Sequence, residues 1–339
     1  MGPPNVSFSF VRSVLLSAIW PTPYPNTSYA GKTVIVTGSN TGIGLEAARH
    51  FVRLGAAKVI LGVRNLEKGE AAKRNIETST LRLDVVEVWQ LDLSSFAGMK
   101  GFVDKMMGLE RLDVAVMNAA VACLGWNESV EGWEQMLQVN VLSTALLSLW
   151  VLQKQLESAR AHPDFKPRLV VVGSEGHELT TFQERKAENA LKVLNNKEYF
   201  LDPANEWERY PLSKLLIMYF VRELAKRVPG ADTGKPEVIV NTVNPGLCVS
   251  ELGRDHSFVA NLFSTIVGKS AERGGRTLLD AAARGEESHG EYTTFCQLVP
   301  PAAVITGEEG QVAQKKMWGE IVEVLEEKYP GLVKSCLGN

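Results

Sequence analysis

Apolar positions along this chain follow two alternating periods. The runs Lys32–Thr37, Lys58–Gly62, Val85–Leu91, Leu112–Met117, Arg168–Ser174 and Val238–Val243 are short and rich in β-branched residues, which predicts buried strands. Between them apolar residues recur three and four apart. Leu45, Ala48, Phe51, Val52 and Leu54 form one such stripe, and further helices are predicted over Leu66–Glu77, Ser94–Met107, Val130–Ser158 and from Tyr210 onward. The same periods predict a helical region over Ala260–Ala283, a last strand over Tyr292–Val299 and a closing helix over Glu309–Lys328. Strands alternating with helices predict an α/β fold, a doubly wound parallel sheet of about seven strands with helices on both faces. Neither repeat nor linker interrupts the pattern. The chain therefore reads as one domain: an N-terminal extension over 1–30, a core over 31–255 containing an excursion at 175–209, and a closing segment over 256–339.

In such a sheet ligands gather at the carboxyl ends of the strands. Gly38, Arg64, Asp92, Asn118, Ser174 and Pro245 all fall at those ends. Gly38-Ser-Asn-Thr-Gly42-Ile43-Gly44 joins the first strand to the first helix, the order that puts a pyrophosphate on a helix N-terminus. An NAD-selective site needs a carboxylate at the end of the second strand, but Gly62 and Val63 stand there. Arg64 and Lys68 follow, and a guanidinium suits a 2′-phosphate, so NADP(H) is the expected cofactor. The plainer reading of both is a surface charge, or for Arg64 an adenine-stacking group.

Tyr210-Pro-Leu-Ser-Lys214 opens an apolar helix, with Pro211 suited to the first turn. Tyrosine and lysine four apart share a helical face. A phenol titrates near pH ~10 and exchanges protons poorly at neutral pH, whereas a fixed ammonium beside it favours the phenolate. Taken alone, the spacing is a weak signal and reads first as a half-buried tyrosine with a lysine reaching to solvent.

Composition narrows the choice. With 45% hydrophobic and 22% charged residues the chain can bury a large core, and at net charge −3 without a basic block nucleic acid is not an expected partner. Cys123, Cys248, Cys296 and Cys336 lie far apart, without metal or disulfide spacing, as expected of a reducing, cytoplasmic setting. The histidines lack ligand spacing too, so no metal is expected. Phe8–Trp20 is apolar but too short to span a bilayer; it reads first as a short helix packed on the domain and second as a membrane-surface anchor.

Thr37-Gly-x-x-x-Gly42-Ile43-Gly44, Asp92-Leu93, Asn118-Ala-Ala, Asn140, Ser174, Tyr210-x-x-x-Lys214 and Asn244-Pro-Gly246 occur in that order on those elements. In this the chain resembles the short-chain dehydrogenase/reductase family over nearly its whole length, which implies a Rossmann-type sheet. Val63-Arg-Asn-Leu-Glu-Lys-Gly-Glu70, Gly268-Lys-Ser-Ala-Glu-Arg-Gly-Gly-Arg-Thr-Leu278 and Glu287-Ser-His-Gly-Glu-Tyr292 look like retinol-dehydrogenase-like members. The Pro-x-Pro-Tyr-Pro segment ending at Pro25 and the C-terminal tail look like members from filamentous fungi, many of which serve secondary metabolism. The resemblance implies that Tyr210 exchanges the proton with the substrate oxygen, that Ser174 hydrogen-bonds that oxygen and that Lys214 holds the ribose and lowers the Tyr210 pKa. It implies that Asn140 positions a water behind Lys214, Asp92 meets the adenine, Asn118 the adenine ribose region and Ser250 the carboxamide, with serine where threonine is usual. Asn140 also reads as a buried polar group on a kinked backbone, and Asp92 as a helix cap. The chain departs from the family at Ala120 for a common glycine, at Gly173 for a frequent serine, and in the long step from Ser174 to Tyr210, where His177 reads as structural.

The expected activity is interconversion of a ketone or aldehyde and its alcohol on a small, bulky, hydrophobic molecule. A catalytically silent dinucleotide sensor is the alternative from another class, and an epimerase or dehydratase could use the same Tyr and Lys. The excursion carries Phe182, Leu191, Val193, Leu194, Tyr199, Phe200 and Trp207, which predicts a helix with an apolar face roofing the site. Trimming Ala187–Asn196 would then weaken substrate binding more than cofactor binding; the alternative is a solvated surface loop.

Overall fold

The computed structural model describes residues 20–248 and 269–337. Its strands are β1 (Thr33–Thr37), β2 (Lys58–Val63), β3 (Val86–Gln90), β4 (Val114–Met117), β5 (Arg168–Val172), β6 (Ile239–Asn244), β7 (Tyr292–Thr294) and β8 (Gln297–Leu298). They form one sheet in the order β3-β2-β1-β4-β5-β6-β7-β8, parallel except for β8. The order reverses at β1, which pairs with both β2 and β4, and this opens the crevice where such folds bind ligands.

Alternation along the strands sorts side chains between the two faces. Val34, Val36, Val59, Leu61, Val114 and Val116 point to the face covered by α1 (Gly42–Arg53), α2 (Leu66–Thr80) and α6 (Ala271–Ala283). Ile35, Ile60, Ala115, Leu169 and Val171 point to the other, covered by α3 (Lys100–Met107), α4 (Thr144–Ala161), α5 (Arg209–Ala225) and α7 (Glu308–Lys328). Small residues let α6 approach α1 closely: a Cβ on Gly274 would lie 2.4 Å from Ile43 Cγ2, and one on Gly275 3.0 Å from Ala47 N.

Three expectations change. The helix expected from Val130 starts at Gln135, because Glu128 and Glu134 form a β-bridge around Gly132 (φ +80°) and the Glu134 carboxylate accepts from Met136 N and Leu137 N. It then runs as a π-helical stretch over Leu137–Ser143 before α4, so Asn140 sits in a bulge. The last strand is a tight hairpin, β7 and β8, which makes eight strands; Phe295 and Cys296 both adopt positive φ (+53° and +55°) at its tip. The excursion is not one helix. It consists of two 3₁₀ turns, Glu175–Leu179 and Gln183–Lys186, and three short helices, Ala190–Leu194, Lys197–Leu201 and Pro203–Glu206.

Nor is the excursion a solvated loop. Phe182, Leu191, Leu194 and Phe200 are fully buried, the first three in the core formed with α5 and α7. Glu320 on α7 accepts from Ala190 N and Leu191 N (3.0 and 2.8 Å), and Lys316 donates to Arg185 O (3.1 Å) and Ala187 O. Trimming Ala187–Asn196 would therefore remove core. The segment Phe8–Ile19, the first part of the Ala260–Ala283 region and Ser250 lie outside the described residues. Among the described residues no helix is long and apolar enough to cross a membrane.

Candidate active site

The glycine loop is shaped by what a side chain would strike. Gly38 (φ +64°) passes so close to Ala119 that a Cβ would lie 2.8 Å from its Cα, and a Cβ on Gly44 would lie 2.5 Å from Asn118 Nδ2. Gly42 also has positive φ (+60°). Thr41, at the N-cap of α1, makes no side-chain cap, and the first turn carries no acid. Bare glycine backbone leading to an uncapped helix N-terminus fits a pyrophosphate. Gly38 N donates to Gly62 O (2.8 Å), which ties this loop to the end of β2.

Asn118 lies beneath the loop, its amide donating to Thr37 O (2.9 Å) and Gly38 O (3.1 Å). Its side chain thus braces the glycine turn. Thr37 completes the brace, its Oγ1 accepting from Asn118 N and Ala119 N (3.0 Å each). Asp92 accepts from Ser94 N (2.9 Å) and Ser94 Oγ (2.7 Å), an Asx turn rather than a helix cap, since the helical turns that follow start only at Ala97 and Lys100. Arg64 and Lys68 are exposed past the end of β2, and Asn65 between them caps α2 by accepting from Lys68 N (2.9 Å). Pro245 is buried in a turn held by Asn244, which accepts from Gly246 N (3.0 Å) and donates to Thr294 Oγ1 (3.1 Å).

Ser174, Tyr210 and Lys214 converge past the end of β5. A Cβ on Gly176 would lie 3.2 Å from Ser174 Oγ and 3.9 Å from Pro211 Cα, so the serine turn abuts the first turn of α5. Ser174 Oγ accepts from Gly176 N (3.0 Å), which leaves the hydroxyl proton free to donate outward. Lys214 is buried and donates to Val172 O (2.9 Å), a contact that hangs α5 on β5. Asn140 donates to Val121 O (2.8 Å) and Ser213 Oγ (3.0 Å) and accepts from Val121 N (2.9 Å). Its side chain therefore joins the π-bulge to the loop after β4 and to α5.

The electrostatics differ from the expected pair. Burial raises the Tyr210 phenol well above its ordinary range and brings Lys214 down to about 8. Lys214 Nζ lies 5.8 Å from the Tyr210 ring centroid, turned to the Val172 carbonyl, and desolvation outweighs any pull on the phenol. Tyr210 is thus held as a neutral acid at neutral pH. Residue spacing carried no signal for Thr37 Oγ1, Ser213 or the Val172 carbonyl, since each acts through a partner distant in sequence.

Fold and site together define an oxidoreductase on a Rossmann-type sheet. The chain belongs to the short-chain dehydrogenase/reductase family. The family model described as short chain dehydrogenase matches residues 32–174. Over 332 residues the chain is 40% identical to the short chain dehydrogenase/reductase dmxR8 of Cryptosporiopsis sp. (strain 8999), covering 96% of this chain and 99% of that protein. It is 45% identical over 294 residues to the short chain dehydrogenase atnD of Emericella nidulans, covering 85% and 91%. Among solved structures, a short-chain dehydrogenase from Sphingobium yanoikuyae in complex with NADPH shares the fold, with a TM-score of 0.56 at 20% identity over 78% of this chain and 87% of that one.

Proposed function

We propose that this protein interconverts a ketone or aldehyde and the corresponding alcohol with NADP(H), acting on a bulky hydrophobic small molecule. The observation that carries this reading is the convergence of Ser174, Tyr210 and Lys214 at the end of β5, with α5 held by Val172 O and Asn140. The nicotinamide dinucleotide, when bound, supplies or accepts the hydride. Tyr210, kept protonated by burial, donates its proton to the substrate oxygen in the reductive direction. Ser174 holds the same oxygen with its outward hydroxyl proton. Lys214 binds ribose hydroxyls and stabilises the phenolate left on Tyr210. Asn140 acts as a positioning residue through Ser213 and Val121.

Gly38, Gly42, Ile43 and Gly44 would hold the pyrophosphate, and Arg64, with Lys68 one turn on, the 2′-phosphate. Leu124 and Trp207 are exposed (53% and 37%) where the loop after β4 meets the excursion, joined by Glu206 accepting from Gly125 N (3.0 Å) and by the Trp126–Phe200 ring contact (5.5 Å). An apolar surface bordering the strand ends supports a hydrophobic substrate. The test is NADPH consumption by purified protein against a panel of bulky ketones and quinones. Turnover of at least one, faster with NADPH than NADH, is expected. Equal kcat/KM with the two cofactors defeats the NADP(H) preference, and no turnover with any member defeats the reductase reading.

A further inference from the structure

The turn after Ser174 contains a buried imidazole that neither the glycine loop nor the Tyr210–Lys214 pair explains. His177 is 0% exposed, its ring edge-on to Tyr292 (5.3 Å between centroids). Nδ1 lies 2.6 Å from Ser174 O, and Ala302 N lies 3.3 Å from Nε2. The second contact settles the tautomer. A backbone amide only donates, so Nε2 is the acceptor and the ring proton sits on Nδ1, pointing at the Ser174 carbonyl. That carbonyl also accepts from His177 N (3.4 Å), while Ser174 Oγ accepts from Gly176 N. Both oxygens of Ser174 are thus held by one turn, and the turn is held by the imidazole.

The far end of the imidazole is anchored as well. Ala302 precedes the short helix Ala303–Thr306, and Val304 O in that helix accepts from Tyr219 OH (2.5 Å) on α5. A segment more than a hundred positions away is therefore fastened both to the serine turn and to the helix that carries Tyr210 and Lys214.

We infer that His177 is a positioning residue for the reaction: a neutral, two-ended hydrogen-bond strut between Ala302 and Ser174 that fixes where the Ser174 hydroxyl points. This rests on the reading of Ser174 as the group that holds the substrate oxygen. A histidine that only fills space would depend on its volume; a strut depends on which nitrogen donates. The amide nitrogen of an asparagine overlays Nδ1, whereas the amide of a glutamine overlays Nε2. His177→Asn thus keeps the donor to Ser174, and His177→Gln keeps only the Ala302 end.

The test uses the full chain, with NADPH oxidation by 9,10-phenanthrenequinone, a flat hydrophobic diketone, as probe. His177→Gln should lower kcat at least about tenfold with KM for NADPH unchanged, because sub-ångström to ångström misplacement of a group at the reacting atoms is that costly. His177→Asn should retain clearly more activity. In a Ser174→Ala background His177→Gln should cost nothing further, the non-additivity of residues acting as a unit. Ala302→Pro provides an arm that leaves the sequence of the serine turn unchanged: φ at Ala302 is −55°, which proline accepts, while the ring Cδ replaces the N–H and crowds Nε2, so that end of the strut is broken. It should lower kcat severalfold. Equal losses in the Asn and Gln variants, full additivity with Ser174→Ala, or unchanged kcat in Ala302→Pro would each overturn the strut, as would variants that only melt earlier. Tyr210→Phe serves as the control. If it stays active, or if the unmutated protein turns over no carbonyl, the reading of the site falls and the strut with it; if it is inactive and the His177 arms are flat, only the strut falls.

Discussion

The loop that opens α1 and the excursion that opens α5 both lead from a strand end into a helix that borders the site, and they are held by opposite means. The glycine loop is fastened by neighbouring strand ends: Gly62 O on β2, Asn118 just past β4, and Thr37 at the end of its own strand β1. Its shape comes from side chains that are missing, since a Cβ at Gly38 or Gly44 has no room. The excursion is fastened by side chains supplied from far along the chain, Glu320 and Lys316 on α7, and at its own end by Arg209 donating to Leu194 O (2.7 Å). Proposed as a phosphate cradle, the loop has to offer exposed backbone, and it is built by omission. Proposed as a substrate-side wall, the excursion has to carry its own core, and it is built by addition.

The comparison can be tested from both sides. The largest effect should come from Tyr210→Phe, which touches neither support. It removes the exchangeable proton and keeps the ring, so kcat should fall roughly 10²–10⁴-fold with cofactor affinity nearly unchanged. Retention of more than about half of kcat would remove Tyr210 from the chemistry. Next comes Leu194→Ala in the excursion. Leu194 is fully buried in the core shared with α7, and such truncations cost about 2–5 kcal/mol. Urea unfolding should show that loss, with kcat per folded molecule little altered. Unchanged stability with a raised KM for a bulky substrate would make the excursion a lid instead of a wall.

On the cofactor side, Arg64→Ala should lower kcat/KM for NADPH about tenfold to a hundredfold, from charged hydrogen bonds of about 1.5–3 kcal/mol, and leave NADH nearly unaffected. Parallel losses with both cofactors would place Arg64 on the adenine instead. The smallest effect is on stability against pH. Lys214 is brought down to about 8 by burial, below its unfolded value, so between those two values the unfolded chain binds more protons. Stability should therefore rise as pH increases above about 8. Burial raises Tyr210, so above the ordinary phenol range the unfolded chain ionises first and stability should fall again. Lys214→Met should abolish the rise; a melt series in which it persists would assign it to another group.

Much of this was legible in residue order. Strand runs such as Thr33–Thr37 and Lys58–Val63 stand out because a strand buried on both faces must be apolar throughout, and the glycines between β1 and α1 stand out because only glycine fits there. What escaped was set by distant partners. The hairpin at Phe295–Cys296 shows no glycine or asparagine, so nothing local announces its two left-handed residues. The π-bulge at Asn140 answers to Val121 and Ser213. The phenol of Tyr210 was expected to be lowered by Lys214 and is instead raised, because the helical spacing places the two side chains but not the solvent around them.

By itself, then, the order of residues determined the alternating strands and helices and the glycine turn at Gly38–Gly44, because each follows from short-range sterics or from a periodicity of two or near four, whereas Ser174, Tyr210 and Lys214 stood out through the family resemblance. The tertiary structure alone decided that the excursion packs into the core with α5 and α7, that Lys214 turns to Val172 O, and that His177 joins Ser174 to Ala302. Those are desolvation and hydrogen-bond choices among groups far apart in the chain, and they exist only once the packing has excluded water.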